Sequence, residues 1–115
     1  MTTTECLFCE MAAGRVPMDA LIENEHVFAI RDIHPRAPVH ILLIPREHLP
    51  DARALSVEHG PVLGQLFAAA AEAARLEGVA DDGYRLAFNV GEAAGMTIDH
   101  LHLHLVGGRR LGPEG

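Results

Sequence analysis

Histidine and leucine alternate in the stretch His100–Val106, which reads HLHLHLV. A period of two is the period of a β-strand, so the stretch predicts a strand with three imidazoles on one face and three leucines on the other. The leucine face is suited to burial in a core. The imidazole face is not, because a buried imidazole costs free energy unless it finds hydrogen-bond partners. We therefore expect a core strand that carries a chemical site along one face.

Three interpretations of the imidazole face compete. The first is three ordinary histidines with satisfied hydrogen bonds, which their strict alternation disfavours. The second is a catalytic metal site, since two histidines at alternate strand positions can chelate zinc or iron. Such a site usually recruits a carboxylate soon afterwards, and residues 105–110 contain none. The third, which we favour, is chemistry on a phosphate, because a neutral imidazole is a competent nucleophile and a protonated one stabilises phosphoryl oxygens.

Length and charge limit the classes of protein that fit this chain. Its 115 residues are enough for one domain with a real core, and we take residues 1–115 as that domain. The net charge is −7, and the nine basic residues are all arginines. An acidic chain without a basic stripe is a poor partner for nucleic acid, and a P-loop is excluded because it needs a lysine. Any phosphate must therefore be bound by histidines, backbone amides and helix ends.

Nothing in the sequence indicates a membrane or a secretory pathway. The longest apolar runs, such as residues 41–44, are far too short to span a bilayer. Residues 1–5 contain neither a basic segment nor a long apolar one, so no signal peptide is expected. We therefore expect a cytoplasmic protein that has no membrane partner.

Hydrophobic periodicity and turn residues divide the chain into short elements. Alternating or continuous apolar runs predict five strands, and helical spacing predicts one short and one long helix. This order predicts an α+β fold, with a largely antiparallel sheet of about five strands and the helices packed on one side. The predicted strands are residues 20–22, 27–31, 39–44, 84–90 and 100–106, and the predicted helices are residues 7–13 and a segment from Ser56 or Gly60 to Gly78.

Four motifs of the sequence resemble, in their order and spacing, the motifs of one protein family. Residues 32–40 (DIHPRAPVH) resemble the pattern D-I-x-P-x-A-P-x-H, and residues 44–48 (IPREH) resemble I-P-K/R-x-H. Residues 89–95 (NVGEAAG) resemble N-x-G-x-x-x-G, and the histidine stretch resembles H-φ-H-φ-H-φ-φ, where φ is apolar. Together these motifs resemble those of the histidine triad (HIT) proteins over nearly the whole chain. The resemblance implies a HIT-like fold for residues 1–115.

The end of the histidine stretch is similar to one branch of that family. Gly107-Gly108-Arg109 resembles the nucleotide-binding, phosphoramidase branch, whereas the diadenosine-polyphosphate hydrolases have Pro-Arg there. The galactose-1-phosphate uridylyltransferases have glutamine in place of His104. The resemblance implies a hydrolase or transferase that acts at the α-phosphate of purine nucleoside phosphoramidates or related nucleotide conjugates, through a nucleotidyl-histidine intermediate. The alternatives are a diadenosine-polyphosphate hydrolase and a nucleotide-binding module with incidental turnover.

The resemblance also implies a role for each matching position. His102 is expected to attack the phosphorus, with its other ring nitrogen oriented by a backbone carbonyl. His100 and His104 complete the catalytic triad of histidines, and Asp32 is expected to bind the ribose hydroxyls. The implied phosphate ligands, beside His104, are His40, Asn89, the Gly95 amide and the Thr97 hydroxyl, and the implied base pocket is Leu7, Phe8, Val16, Ile30, Ile33 and Leu42.

Two positions depart from the family pattern. Thr97 stands where serine is usual and keeps the hydroxyl, so this change is mild. Met96 stands where glutamine is usual, which removes an amide that could contact the phosphate or the leaving group. Met96 therefore favours the interpretation as a binding module. Three histidines match no functional position, and we expect them to be exposed: His26, His34 and His59.

Cys6 and Cys9 form a C-x-x-C pair with three possible interpretations. A cytoplasmic location disfavours a structural disulfide. A redox pair is expected after a strand, and only five residues precede Cys6. Free thiols are the second possibility. The third comes from the resemblance, because several bacterial HIT proteins hold a structural zinc ion with this cysteine pair and two histidines, which correspond here to His48 and His100. The family implies no cofactor for catalysis, and it implies a homodimer.

Overall fold

Five antiparallel strands form one sheet in the order β1-β2-β3-β5-β4 in the computed structural model, which describes residues 6–114. The strands are β1 (Ala20–Glu23), β2 (Val27–Arg31), β3 (Val39–Pro45), β4 (Tyr84–Ala87) and β5 (Leu103–Gly107). The helices are α1 (Leu7–Ala12) and α2 (Gly60–Leu76). The predicted α+β class and the antiparallel sheet of five strands are confirmed. Residues 1–5, from which the absence of a signal peptide is predicted, lie outside the described residues.

The alternation of side chains along β3 and β5 separates a core face from a site face. Ile41 and Leu43 of β3 and Leu103 and Leu105 of β5 are buried against α2. Between them, His40 and His104 point to the other side of the sheet, because alternate residues of a strand face opposite ways. Burial of the four aliphatic side chains stabilises the two strands by roughly 6–12 kcal/mol before entropy is counted, at 1.5–3 kcal/mol for each. The predicted burial of the leucine face is therefore confirmed.

The helices lie on opposite sides of the sheet, so the prediction that both pack on one side is wrong. The helix α2 covers the core face with Leu66 and four alanines, whose small side chains let the helix approach the sheet closely. The short helix α1 places Phe8 and Cys9 against Phe28 and Ile44 on the other face. The strand β3 is apolar on both faces over residues 41–44, as its continuous apolar run already indicates. The helix α1 thus forms one wall of the site.

The strand β5 begins at Leu103 and not at His100, because its neighbour β3 ends at Pro45. Proline has no backbone N–H with which to extend the ladder. The Leu101 N–H instead donates to the Leu49 carbonyl, 2.6 Å away. The shorter β5 also shortens β4, which ends at Ala87 opposite His104 and not at residue 90. His100 and His102 therefore precede the strand, and the prediction that three imidazoles share one strand face is wrong.

Ser56 and Gly60 begin two different elements. Ser56 caps a single 3-10 turn, Val57–His59, and α2 begins at Gly60 with Pro61 in its first turn. His59 is half-buried and not exposed as predicted, because its Nδ1 accepts a hydrogen bond from the Ser56 N–H at 2.9 Å. Among residues 6–114, neither helix is long and apolar enough to cross a bilayer.

Candidate functional site

A cavity of about 270 Å³ opens on the site face of the sheet, between α1, the residues after β2 and the residues before β5. One end is apolar and the other end is lined by imidazole and amide groups. Apart from Val16, His40 and the cluster around His100, the structure brings the sequence-predicted residues together here: Leu7, Phe8, Ile30, Asp32, Ile33, Leu42, Asn89, Gly95, Thr97, His102 and His104.

Some lining residues differ from the predicted set. Val16 is half-buried beyond the end of α1 and does not line the cavity in this structure, so its assignment to the base pocket stays a prediction. Met11 takes that place, because it lies one helical turn after Leu7 and faces the same way. Helical spacing could have identified it. Ile98 also lines the cavity, and His34 lies at its rim although the sequence assigns it no function.

His102 is oriented by the main chain. Its Nδ1 donates a hydrogen bond to the His100 carbonyl at 2.8 Å, because a carbonyl oxygen can only accept. The neutral ring therefore carries its lone pair on Nε2, which fits the orientation that the family resemblance implies. The ring also packs edge-on against Phe8, with ring centroids 5.4 Å apart, so α1 holds it from the other side. His102 is 9% exposed, and it lines the cavity.

His40 and His104 form a chain of hydrogen bonds that fixes both tautomers. The Arg36 backbone N–H donates to His40 Nδ1 at 3.1 Å, so a neutral His40 carries its proton on Nε2. That proton is donated to His104 Nδ1 at 3.0 Å, which leaves the His104 proton on Nε2. The side-chain amide of Asn89 borders this nitrogen at 3.4 Å. His104 therefore presents an N–H donor at the wall of the cavity.

The His40 side chain has no exposed surface. That His40 contacts phosphate directly stays a prediction, and in this structure it reaches the nucleoside cavity through His104. Burial lowers the pKa of His40. Burial, with the neighbouring His102 and His40, lowers the pKa of His104 to about 4. Both rings are consequently neutral near pH 7, which is what the hydrogen-bond chain requires.

Asp32 closes the loop after β2 as well as lining the cavity. One carboxylate oxygen accepts the His34 N–H at 2.8 Å, and the other lies 3.5 Å from His40 Nε2. The first contact is an Asx turn, the local bond that aspartate commonly makes before a proline-rich turn. The half-buried carboxylate keeps acceptor capacity toward the cavity, because each oxygen offers two lone pairs.

The loop Gly91–Gly95 shapes the cavity differently from the prediction. The Gly95 N–H donates to the Glu92 carbonyl at 2.9 Å and closes a 3-10 turn, so it is not free to bind phosphate. Gly95 is needed for its backbone, whose φ of +86° disfavours any residue with a Cβ. The exposed Thr97 follows at the cavity wall and carries a hydroxyl that can donate.

Cys6, Cys9, His48 and His100 form a second cluster behind the cavity. Their four ligand atoms all lie within 4.8 Å of one another. His100 Nδ1 lies 3.3 Å from Cys6 Sγ, 3.6 Å from Cys9 Sγ and 3.1 Å from His48 Nδ1. His48 Nδ1 lies 3.1 Å from Cys9 Sγ. His100 is completely buried, and His48 is half-buried.

The cluster fits a tetrahedral zinc ion. Zinc bonds of about 2.3 Å to sulfur and 2.0–2.1 Å to nitrogen imply ligand separations of about 3.3–3.8 Å, close to those observed. His100 Nε2 donates to the Pro45 carbonyl at 2.8 Å, so its Nδ1 carries the lone pair toward the sulfur atoms. Metal-binding histidines commonly donate their second N–H to a carbonyl in this way. The Cys9 N–H also donates to Cys6 Sγ at 3.3 Å, which favours a thiolate there.

The surroundings of Cys9 argue against the redox interpretation of the C-x-x-C pair. Burial, followed by the hydrogen bond and the charge of Cys6, raises the pKa of Cys9 to about 11. A redox-active cysteine has a lowered pKa, because the thiolate is the nucleophile. Both cysteines are free and buried. The convergence of the two cysteines with two imidazoles is the arrangement that a metal site needs, whereas an exchange-reactive pair does not require the histidines.

Comparison with known proteins decides the family. The model of the HIT domain matches residues 13–111. The chain belongs to the histidine triad family. It is 42% identical over 109 residues to the purine nucleoside phosphoramidase of Escherichia coli K12, an alignment that covers 95% of this chain and 92% of that protein.

Solved HIT structures have the same fold as this chain. A HIT family hydrolase from Legionella pneumophila superposes with a TM-score of 0.92 at 39% identity, covering 96% of this chain and 99% of the other. A HIT family hydrolase from Clostridium thermocellum also gives 0.92, at 42% identity and 97% coverage of both chains. The predicted family and HIT-like fold are therefore confirmed.

Proposed function

We propose that this HIT protein is a hydrolase that cleaves purine nucleoside phosphoramidates, or related nucleotide conjugates, at the α-phosphate. The observation that carries the proposal is the His102 ring, whose Nδ1–H is bound by the His100 carbonyl at 2.8 Å. This bond leaves the Nε2 lone pair for attack on phosphorus. The similarity to the Escherichia coli purine nucleoside phosphoramidase supports the substrate class.

The reaction proceeds in two steps through a nucleotidyl-histidine. His102 Nε2 forms a bond to the α-phosphorus as the bond from phosphorus to the substrate nitrogen breaks, and the amine leaves after taking up a proton. Water then attacks the phosphorus, the bond to His102 breaks, and the nucleoside monophosphate is released with the ring neutral again. The hydrogen bond to the His100 carbonyl also stabilises the ring while it carries positive charge.

The phosphate oxygens are bound by donors that the fold holds in place. His104 supplies its Nε2–H, fixed by the chain from the Arg36 N–H through His40. Asn89 and Thr97 supply an amide and a hydroxyl at the same wall. The His104 donor is oriented before substrate binds, so it stabilises developing charge without reorganisation. His40 is in this scheme a positioning residue, because its buried side chain acts through His104.

The nucleoside occupies the apolar end of the cavity. The base packs against Leu7, Phe8 and Ile30, and Ile33 covers it at the rim, which explains why that side chain is 86% exposed without ligand. The Asp32 carboxylate accepts hydrogen bonds from the ribose hydroxyls. The alternative of a binding module rests on Met96, which is half-buried directly after the loop Gly91–Gly95 and offers no side-chain amide.

Turnover of adenosine 5′-phosphoramidate tests the proposal. We expect multiple turnovers to AMP and ammonia, and acid-labile labelling of the protein when substrate with a radioactive phosphorus is quenched early. The His102→Ala variant is the control and should give neither. Binding of AMP with no turnover by the wild type would favour the binding module.

We further propose that the second cluster binds one structural zinc ion per chain, through Cys6, Cys9, His48 and His100. Four protein ligands leave no open position, so the ion stabilises the fold and does not react with substrate. The ion connects α1 to the ends of β3 and β5, and α1 carries the wall of the nucleoside pocket. Metal analysis of protein purified without added zinc should give a stoichiometry near one.

We propose a homodimer through the open edge formed by β4. Phe67 of α2 is 45% exposed and packs edge-on against Phe88, with ring centroids 6.3 Å apart. An apolar pair with one exposed ring, beside an unpaired strand edge, suits a second copy, which can extend the sheet. Light scattering should give twice the chain mass, and Phe67→Arg should shift that mass toward the monomer.

A further inference from the structure

A second cavity, of about 450 Å³, lies on the far side of His104 and Asn89 from the nucleoside pocket. Three arginines line it: Arg36 from the loop after β2, Arg85 from β4, and Arg109 from the residues after β5. The chain has a net charge of −7 and nine basic residues in all, so one third of its positive side chains border one cavity. The concentration of positive charge points to an anionic occupant.

One of the arginines, Arg109, is held by the main chain, and neither it nor Arg36 is paired with an acidic side chain in residues 6–114. Arg109 donates through Nη2 to the Arg36 carbonyl at 3.0 Å, and through Nη1 to the Arg110 carbonyl at 3.0 Å. Neither Arg36 nor Arg109 has a carboxylate within 4.0 Å in residues 6–114. Their charge is therefore available to a ligand.

The third arginine is already close to a carboxylate. Arg85 Nη2 donates to the Gly112 carbonyl at 2.7 Å and lies 3.6 Å from a carboxylate oxygen of Glu114. The Glu114 side chain is 85% exposed. An exposed ion pair of this kind contributes little free energy, so a substrate anion can displace it. The position of Glu114 indicates where a carboxylate fits beside Arg85.

The two cavities meet at the groups that bind the phosphate. His104, Asn89 and Arg36 line both of them. In the proposed reaction the nucleoside fills one cavity and the α-phosphate lies at this junction, beside His102. The leaving group then has the arginine-lined cavity available to it.

We propose that this cavity binds the leaving group, and that its arginines select leaving groups with a second anionic group, either a carboxylate or a phosphate. The inference rests on the proposed function and names the substrate class of the same site. The anionic group takes no part in bond breaking: the amine still leaves with a proton, and the remote anion is bound by guanidinium groups. Arginine suits both anions, because its planar fork donates two hydrogen bonds at once.

The carboxylate is tested with two matched substrates. They are the adenosine 5′-phosphoramidates of glycine, which carries a carboxylate, and of glycinamide, which is neutral but otherwise similar. We expect kcat/KM to be about tenfold higher for the glycine conjugate at low salt. That ratio corresponds to about 1.4 kcal/mol, as one partly exposed charged hydrogen bond supplies. Arg85→Gln should bring the ratio close to one.

Two further variants control this test. Arg75→Gln removes one positive charge from the exposed side of α2, outside the cavity, and should leave the ratio unchanged. Glu114→Gln removes the competing carboxylate at an exposed position that tolerates substitution, and should raise kcat/KM for the glycine conjugate alone. Thermal melting of each variant shows whether it is folded.

The phosphate is tested by binding, without turnover. We expect ADP to bind about tenfold more tightly than AMP, and Arg85→Gln to remove the difference. If Arg85→Gln changes only the kinetic ratio, the bound anion is a carboxylate. If it changes only the ratio of ADP to AMP affinity, the bound anion is a phosphate. The inference is overturned if Arg85→Gln and Glu114→Gln leave both the kcat/KM ratio of the two conjugates and the affinity ratio of ADP to AMP unchanged. Turnover of both conjugates would still support the proposed function in that case. Failure to turn over either conjugate counts against the proposed function, and the binding arm then decides on the cavity by itself.

Discussion

His102 and His100 are two residues apart in one motif, yet they belong to sites with opposite properties. Each ring donates one N–H to a backbone carbonyl, but through different nitrogens. His102 donates through Nδ1 and leaves Nε2 facing the cavity, whereas His100 donates through Nε2 and leaves Nδ1 facing Cys6 and Cys9. His102 is 9% exposed and His100 is fully buried. The choice of hydrogen-bonded nitrogen thus separates a nucleophile from a metal ligand.

The end of β3 creates this division. Because Pro45 stops the ladder, residues 100–102 leave the sheet before β5 begins. The carbonyls of Pro45 and His100 are then free to accept hydrogen bonds from imidazoles. A regular strand over residues 100–106 would have paired those carbonyls within the sheet and placed all three rings on one face. The irregularity is what lets one motif serve two sites.

The largest expected effect comes from removing the nucleophile. His102→Ala should lower turnover of adenosine 5′-phosphoramidate by at least about a thousandfold, because no other group can form the covalent intermediate. AMP binding should be largely kept, since Asp32, Asn89 and His104 still line the cavity. Stopped-flow turnover and calorimetric binding measure the two quantities. An active His102→Ala variant would contradict the assignment of roles within the motif.

Removal of the metal should affect stability before it affects chemistry. We expect Cys9→Ser, or a strong chelator, to lower the melting temperature by more than about 10 °C, because the ion binds only the folded arrangement of ligands. Turnover measured well below the new melting temperature should persist, since none of the four ligand side chains lines the nucleoside cavity. Equal melting of the variant and the wild type, with no bound zinc, would leave the cluster as free thiols and imidazoles.

The sequence predicts the sheet and the site better than it predicts the local backbone. Periodicity alone identifies the leucines of β5 as core, and the motifs identify His102 and Asp32 as members of one site. The sequence does not reveal that Gly95 uses its own N–H to close a turn, because that depends on the loop conformation. Met11 was within reach of the sequence, because it lies one helical turn after Leu7. Val16 follows the end of α1 at Ala12 and is not among the residues that line the cavity.

The nucleoside end of the cavity should show a smaller effect than the nucleophile. Asp32→Ala should weaken AMP binding by about 1–3 kcal/mol, the range for hydrogen bonds to a charged group. It should not prevent formation of the covalent intermediate at saturating substrate, because the carboxylate lies away from the bond that breaks. Asp32→Asn distinguishes the role of Asp32 in the loop from its role in ligand binding, because asparagine can keep the Asx turn to His34. Unchanged affinity in both variants would make Asp32 a loop residue only.

The smallest effect concerns the neutral imidazole of His104, at the wall of the nucleoside cavity. The pKa of His104 is lowered to about 4 by burial and by His102, His40 and Arg36, with Asp32 acting weakly in the opposite direction. In the unfolded chain the same group titrates near 6.5. Between these values the unfolded state binds a proton that the folded state does not, so the free energy of unfolding falls as the pH falls. This contribution is fully present above about pH 6.5.

Urea unfolding at pH 7 and pH 5.5 measures this dependence. For His104 alone we expect a loss of about 1 kcal/mol between the two values. His104→Gln removes the titrating group, so its unfolding free energy should change with pH by about that much less than the wild type's. The comparison of the two proteins cancels the contribution of every titrating group that the substitution leaves unchanged. An identical pH dependence in both would mean that His104 binds a proton equally well in the folded and unfolded states, which contradicts its buried place as the acceptor in the chain from His40.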